Sequence, residues 1–107
     1  MPGLVAALQG LAQRNEVMSY GDLARQIAIP GPGSIARLTA ALEVLMVEDA
    51  EAGHPFRAAL CRARSGDGLP APGFFDAAVR LGRFDGGDLR GFVARERAEL
   101  FKAAALR

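Results

Sequence analysis

The sequence is poor in the residues from which most active sites are built. It contains one cysteine, Cys61, and one histidine, His54, in 107 residues. A single cysteine excludes an internal disulfide framework and a cysteine-based zinc site, and one histidine cannot supply a histidine-rich metal centre. No apolar run approaches the roughly 20 residues that a bilayer-crossing helix needs, so no membrane partner is expected. The opening Met1-Pro2-Gly3 lacks the basic start of a secretory signal, which gives the expectation of a cytosolic protein. The phosphate-loop pattern GxxxxGK[ST] is missing. No carboxylate pair stands at a cleft-like spacing, since Asp85 and Asp88 flank Gly86-Gly87 and read as turn and cap chemistry. This inventory calls for no cofactor and argues against an enzyme.

What is present is globular. Half of the residues are apolar and 23% are charged, too apolar for intrinsic disorder, and the length suits one domain. The net charge of +1 conceals an asymmetry. Residues 1–53 carry Arg14, Arg25 and Arg37 against six acidic side chains, whereas residues 54–107 carry ten basic side chains against six acidic ones. Such asymmetry can mark a nucleic-acid surface. Twelve of the thirteen basic residues are arginine, whose planar fork suits phosphate. A GC-rich genome produces the same enrichment through codon choice, so arginine count alone decides nothing.

Apolar periodicity organises the chain. Leu4, Val5, Leu8, Leu11 and Ala12 form one helical face over residues 3–14. Glu16-Val17-Met18 is a short extended candidate. Ser19-Tyr20-Gly21-Asp22 fits a capping box, with Asp22 reaching back to the chain at Ser19. The helix it opens buries Leu23, Ala24 and Ile27 and stops before Pro30. Pro30-Gly31-Pro32-Gly33 breaks the chain, and Ser34 reads as the N-cap of the strongest helix, residues 34–50, built on Ile35, Leu38, Leu42, Leu45 and Met46. Glu48, Asp49 and Glu51 at its unfavourable C-terminal end are expected to face solvent or a partner. Phe56 to Ala63 alternates like a strand, and Ser65-Gly66-Asp67-Gly68 is a hairpin-type turn. Leu69 to Gly73 is extended because of its two prolines. Helices follow from Phe74 to Leu81 and from an Asp88 cap to Leu106.

The expected fold is therefore mainly α with a small β-hairpin. A winged helix over residues 1–69 is followed by a helical extension, residues 70–107, packed on it within one domain. A tight Gly/Pro turn between the second and third helices is what a helix-turn-helix pair requires.

Ser19-Tyr20-Gly21-Asp22-Leu23-Ala24, the turn and helix that follow, and Pro55 with Arg57 resemble the C-terminal DNA-binding domain of alkylguanine-DNA alkyltransferases. They resemble still more the alkyltransferase-like proteins that lack the reactive cysteine. The likeness covers about residues 17–68. It implies a winged-helix scaffold with Tyr20 at the mouth of the recognition region. Two departures bear on activity. The family's reactive cysteine falls near Phe56, and its neighbouring histidine is replaced by Arg57, so neither a nucleophile nor a base to generate a thiolate is available there. The family's intercalating arginine falls near Ser34, with Arg37 three residues later.

Six residues are candidates for contact with double-stranded DNA: Tyr20, Ser34, Arg37, Arg57, Arg62 and Arg64. Ser34 and Arg37 would present a helix start to phosphate and base edges, and the three later arginines would lie along the backbone from the hairpin. Against each stands an ordinary role: a half-buried stapling ring for Tyr20, a cap for Ser34, solvated cations for the arginines. Cys61 reads as a small core residue, and His54 as a loop residue. The alternative function is a protein-interaction module. Phe74, Phe75, Phe84, Phe92 and Phe101 crowd the final third, either as core or as an anchor that docks onto a partner or a second subunit of a homodimer.

Overall fold

The computed structural model describes residues 1–106. Five α-helices surround a short 3-10 turn and one pair of two-residue strands. In chain order these are α1 (Leu4–Arg14), β1 (Met18–Ser19), α2 (Tyr20–Gln26), α3 (Ser34–Ala52), the 3-10 turn (Arg57–Leu60), β2 (Cys61–Arg62), α4 (Pro72–Arg80) and α5 (Leu89–Ala105). No described helix is long and apolar enough to cross a membrane.

Most of each helix's apolar period is buried. Val5 and Ile35, which the sequence counts in the periods of α1 and α3, are nevertheless 48% and 50% exposed, and Leu89 at the start of α5 is exposed as well. Leu4, Leu8 and Leu11 turn α1 inward, and α1 lies against α5 and the 3-10 turn. Leu38, Leu42, Leu45 and Met46 do the same for α3. That helix closes on Gly53, whose φ of 66° is a left-handed conformation that glycine adopts without a Cβ penalty. The reversal bonds the His54 N–H to the Asp49 carbonyl at 2.8 Å and turns the chain into the interior. There Phe56 is fully buried, meeting the rings of Phe74 and Phe92 edge-on at 6.0 and 6.4 Å. Burying one such ring contributes about 2–3 kcal/mol. Phe74, Phe75 and Phe92 are buried, so of the two roles open to the late phenylalanines these three take the core one.

Three local expectations are corrected. The expected hairpin is not formed: β1 and β2 pair in parallel, Met18 opposite Cys61 and Ser19 opposite Arg62. A parallel pair cannot be closed by a tight turn and needs a long crossover, here the α2, α3 and 3-10 segment. Half of the expected strand Phe56–Ala63 is 3-10 instead, Arg57–Leu60, with only Cys61–Arg62 paired as β2. Ala58, Ala59, Leu60 and Cys61 are all buried, so the alternation marks no solvent face. The loop after β2 keeps one hairpin-like bond, Ala63 N–H to the Leu69 carbonyl at 2.8 Å.

The third concerns caps. Ser19 does cap α2, accepting from the Asp22 N–H at 3.1 Å, but the Asp22 carboxylate takes the Arg25 guanidinium instead of returning to Ser19. Gly33, not Ser34, precedes α3, and no side chain caps it.

Candidate nucleic-acid interface and the polar frame behind it

The six candidate residues fall in three places. Ser34 and Arg37 are in the first turn of α3, where Gly33 and Arg37 are exposed and Ser34 is half-buried. Arg37 reaches back only to the Pro32 carbonyl, at 3.5 Å. Tyr20 opens α2 at its other end, Arg62 ends β2 and Arg64 is exposed in the loop that follows. Ser19 stands opposite Arg62 across the strand pair, so Arg62 flanks the point where α2 begins. The Tyr20 hydroxyl accepts from the Ala71 N–H at 3.0 Å, tying α2 to the entry of α4. Burial pushes the Tyr20 phenol up to about 12.

Arg57 stands apart. Its main-chain N–H donates to Asp49 Oδ2 at 2.9 Å, and its Nε and Nη2 reach Asp49 Oδ1 at 3.0 and 2.9 Å. Asp49 is 2% exposed, which corrects the expectation that it faces solvent, whereas Glu48 and Glu51 are exposed as expected. Asp49 also lies about 22 Å along the α3 axis from Ser34, at a rise of about 1.5 Å per residue. The structure thus removes Arg57 from the surface that Ser34 and Arg37 present and gives it a structural partner.

Sequence reasoning missed that partnership and the frame it belongs to. Glu96 Oε1 accepts the Phe56 N–H and an Arg83 guanidinium N–H, each at 3.0 Å. Arg83 lies 4.4 Å over the Phe56 ring and donates to the His54 carbonyl at 3.1 Å. Arg97 Nε donates to the Ala59 carbonyl at 2.7 Å. The 3-10 segment keeps bonds of its own, such as Ala59 N–H to the Phe56 carbonyl at 3.0 Å. Its remaining Phe56 N–H, Arg57 N–H and Ala59 carbonyl are satisfied by Glu96, Asp49 and Arg97 from the helices around it. One signal was available. Asp49 continues the spacing Leu38, Leu42, Leu45 on the buried side of α3, where an unpaired carboxylate is costly.

No thiol chemistry is available at this segment. Phe56 is fully buried, and burial pushes the Cys61 thiol up to about 12, against the thiolate that a nucleophile requires. Among the described residues, no three His, Cys, Asp or Glu side chains gather as a metal site.

The surface cations divide in two. Arg14, Arg25 and Arg80 are paired with Glu16, Asp22 and Glu43. Arg37, Arg62 and Arg64 have no carboxylate within 4.0 Å among the described residues, and neither do the exposed Arg90, Arg95 and Lys102. Comparison of the chain with protein-family models, curated proteins and solved structures gives no match.

Proposed function

We propose that this chain is a non-enzymatic protein that binds double-stranded DNA through a winged-helix-like surface, related to the alkyltransferase-like proteins without a reactive cysteine. The observation that carries the reading is the company of the α2–α3 pair. The start of α3 is open to solvent beside Arg37, and Arg62, the last residue of β2, pairs with Ser19 at the start of α2, with the exposed Arg64 two residues on. Arg62 and Arg64 would take phosphate oxygens, Ser34 and the free amides of α3 another phosphate, and Arg37 a base edge in the major groove. Tyr20 would position α2 through Ala71 and make no base contact of its own. Arg57 is withdrawn from the proposed interface because its charge is spent on Asp49.

The resemblance adds to this reading where the residues agree, from Ser19 to Ala24, and adds no alkyl transfer, since Phe56 and Arg57 occupy the reactive positions. The acidic first half limits non-specific affinity. A gel shift on mixed duplexes at low salt is the test. Micromolar binding that weakens steeply with salt is expected. Absence of binding at that concentration, or indifference to salt, sinks the proposal.

A further inference from the structure

The helix α3 is apolar on two sides. Leu38, Leu42, Leu45 and Met46 face the core. The opposite side carries Ala36, Ala40, Val44 and Val47, all exposed, in one stripe at helical spacing. Val44 and Val47 are 58% and 43% exposed. A surface helix ordinarily turns charged and polar side chains outward, and valine is a poor helix former where packing does not call for it. A second apolar stripe, continuous over three turns, marks a face that is built to be covered.

The charges along the stripe identify the occupant. Arg37 stands at its start, and Glu48 and Glu51 stand at its end, where the helix dipole opposes them. Among the described residues Arg37 has no carboxylate, and Glu51 no cation, within 4.0 Å. Glu48 has only Arg57, at 3.7 Å, whose guanidinium is held more closely by Asp49. Glu43, at the edge of the face, is neutralised by Arg80 at 3.3 Å. Within one chain Arg37 and Glu51 cannot meet, being about 21 Å apart along the helix axis. Between two antiparallel copies they can. Val44 lies midway between them in the sequence, so a two-fold axis at Val44 brings Arg37 of each copy level with Glu51 of the other. The same axis sets Val44 beside its own counterpart and Val47 beside the small Ala40 of the other copy.

We propose that two copies of this chain associate through the outer face of α3, packed antiparallel about a two-fold axis at Val44, with Arg37 of each paired to Glu51 of the other. The dimer stands independently of the nucleic-acid reading and competes with it. Arg37 and the start of α3 are covered in the dimer, so a duplex and a second copy exclude each other there.

Sedimentation equilibrium of the full chain, without nucleic acid, is the test. One helix pair is a small interface, so dimer is expected from about 100 μM chain upward. Val44→Lys sets two cations against each other at the axis and should leave only monomer. Arg37→Glu and Glu51→Arg should each weaken association at least about tenfold through like-charge contacts. An equimolar mixture of these two variants should restore it, because both pairs in the mixed dimer are again of opposite sign. Arg37→Glu and Glu51→Arg each suit the helix dipole, and all three sites are exposed. Unchanged circular dichroism would then show that lost association reports the contact and not the fold. A chain that stays monomeric up to about 1 mM overturns the proposal. A dimer indifferent to Val44→Lys overturns it too, as does a mixture that associates no more tightly than its parts. Because no duplex is present, each of these results is separate from success or failure of the gel shift.

Discussion

Asp49 and Arg57 are joined at three points: the carboxylate of the first receives both the main-chain N–H and the guanidinium of the second. The pair fixes the end of α3 to the start of the 3-10 turn. It also explains why an acid stands on the buried side of a helix. Breaking it by Asp49→Ala leaves a partly enclosed guanidinium and an orphaned amide, and should cost about 3 kcal/mol. Urea unfolding checks this, the midpoint falling with no change in slope. Arg57→Met is the informative partner. If the buried carboxylate is what needs satisfying, that variant is destabilised as well, and the double variant loses less than the two losses added together.

Stability should fall in alkali. The Cys61 thiol is raised from an ordinary 9.0 to about 12 and the Tyr20 phenol from 10.0 to about 12, burial being the largest cause for each. Both groups stay protonated in the folded chain at pH values where the unfolded chain has already lost the proton. Their contribution is therefore complete below about pH 9 and is lost progressively as pH rises toward 12. For the buried thiol the slope is about 1.4 kcal/mol per pH unit within that window. Cys61→Ala should flatten the profile between pH 9 and 10, which denaturant melts across that range would measure. The same burial predicts that iodoacetamide labels Cys61 at neutral pH only when the chain unfolds.

The segment beyond residue 69 should be indispensable. Phe74 and Phe92 cover Phe56, and α5 lies along α1. A chain ending at Pro70 is expected to lose cooperative thermal unfolding, and Phe74→Ala alone should cost about 3–5 kcal/mol. A truncated chain that melts sharply would show that the first 70 residues hold a core of their own.

On DNA, the arginines should separate by location. Arg62→Glu with Arg64→Glu should weaken binding and reduce the log–log salt slope by roughly 1.8, about 0.9 for each phosphate that is no longer neutralised. Arg37→Ala should weaken binding and relax preference at one base position. Arg57→Gln should lower stability and leave the salt slope unchanged, because its guanidinium is turned to Asp49. Fluorescence anisotropy across a salt series distinguishes these outcomes.

Much of the helical frame was legible in the sequence. Leu38, Leu42, Leu45 and Met46 have a period that only a helix satisfies, and α3 is found two residues longer than that pattern alone indicates. The 3-10 segment was not legible. Phe56, Ala58 and Leu60 alternate, but alanine is small enough for either face, and enclosure on all sides erases the signal that alternation carries. The strand pairing was hidden for a different reason. Asp67-Gly68 is a local turn signal and suggests a local partner, whereas the actual partner of Cys61 is Met18, and nothing in either neighbourhood records the other. The polar frame was least visible. Arg83, Glu96 and Arg97 look like surface charge on a helix and its approach, and only the three-dimensional placement of unsatisfied main-chain groups gives them work.

The adjacency of α1 and α5 has a mechanical consequence. A load applied through the two ends of the chain would fall first on the seam between these helices, before it reached the α2–α3 pair or the strand register. Pulling should therefore strip the outer helices from the interior in an early step, and tethering the ends together should protect the molecule more than an equal tether placed in the Pro30–Gly33 turn.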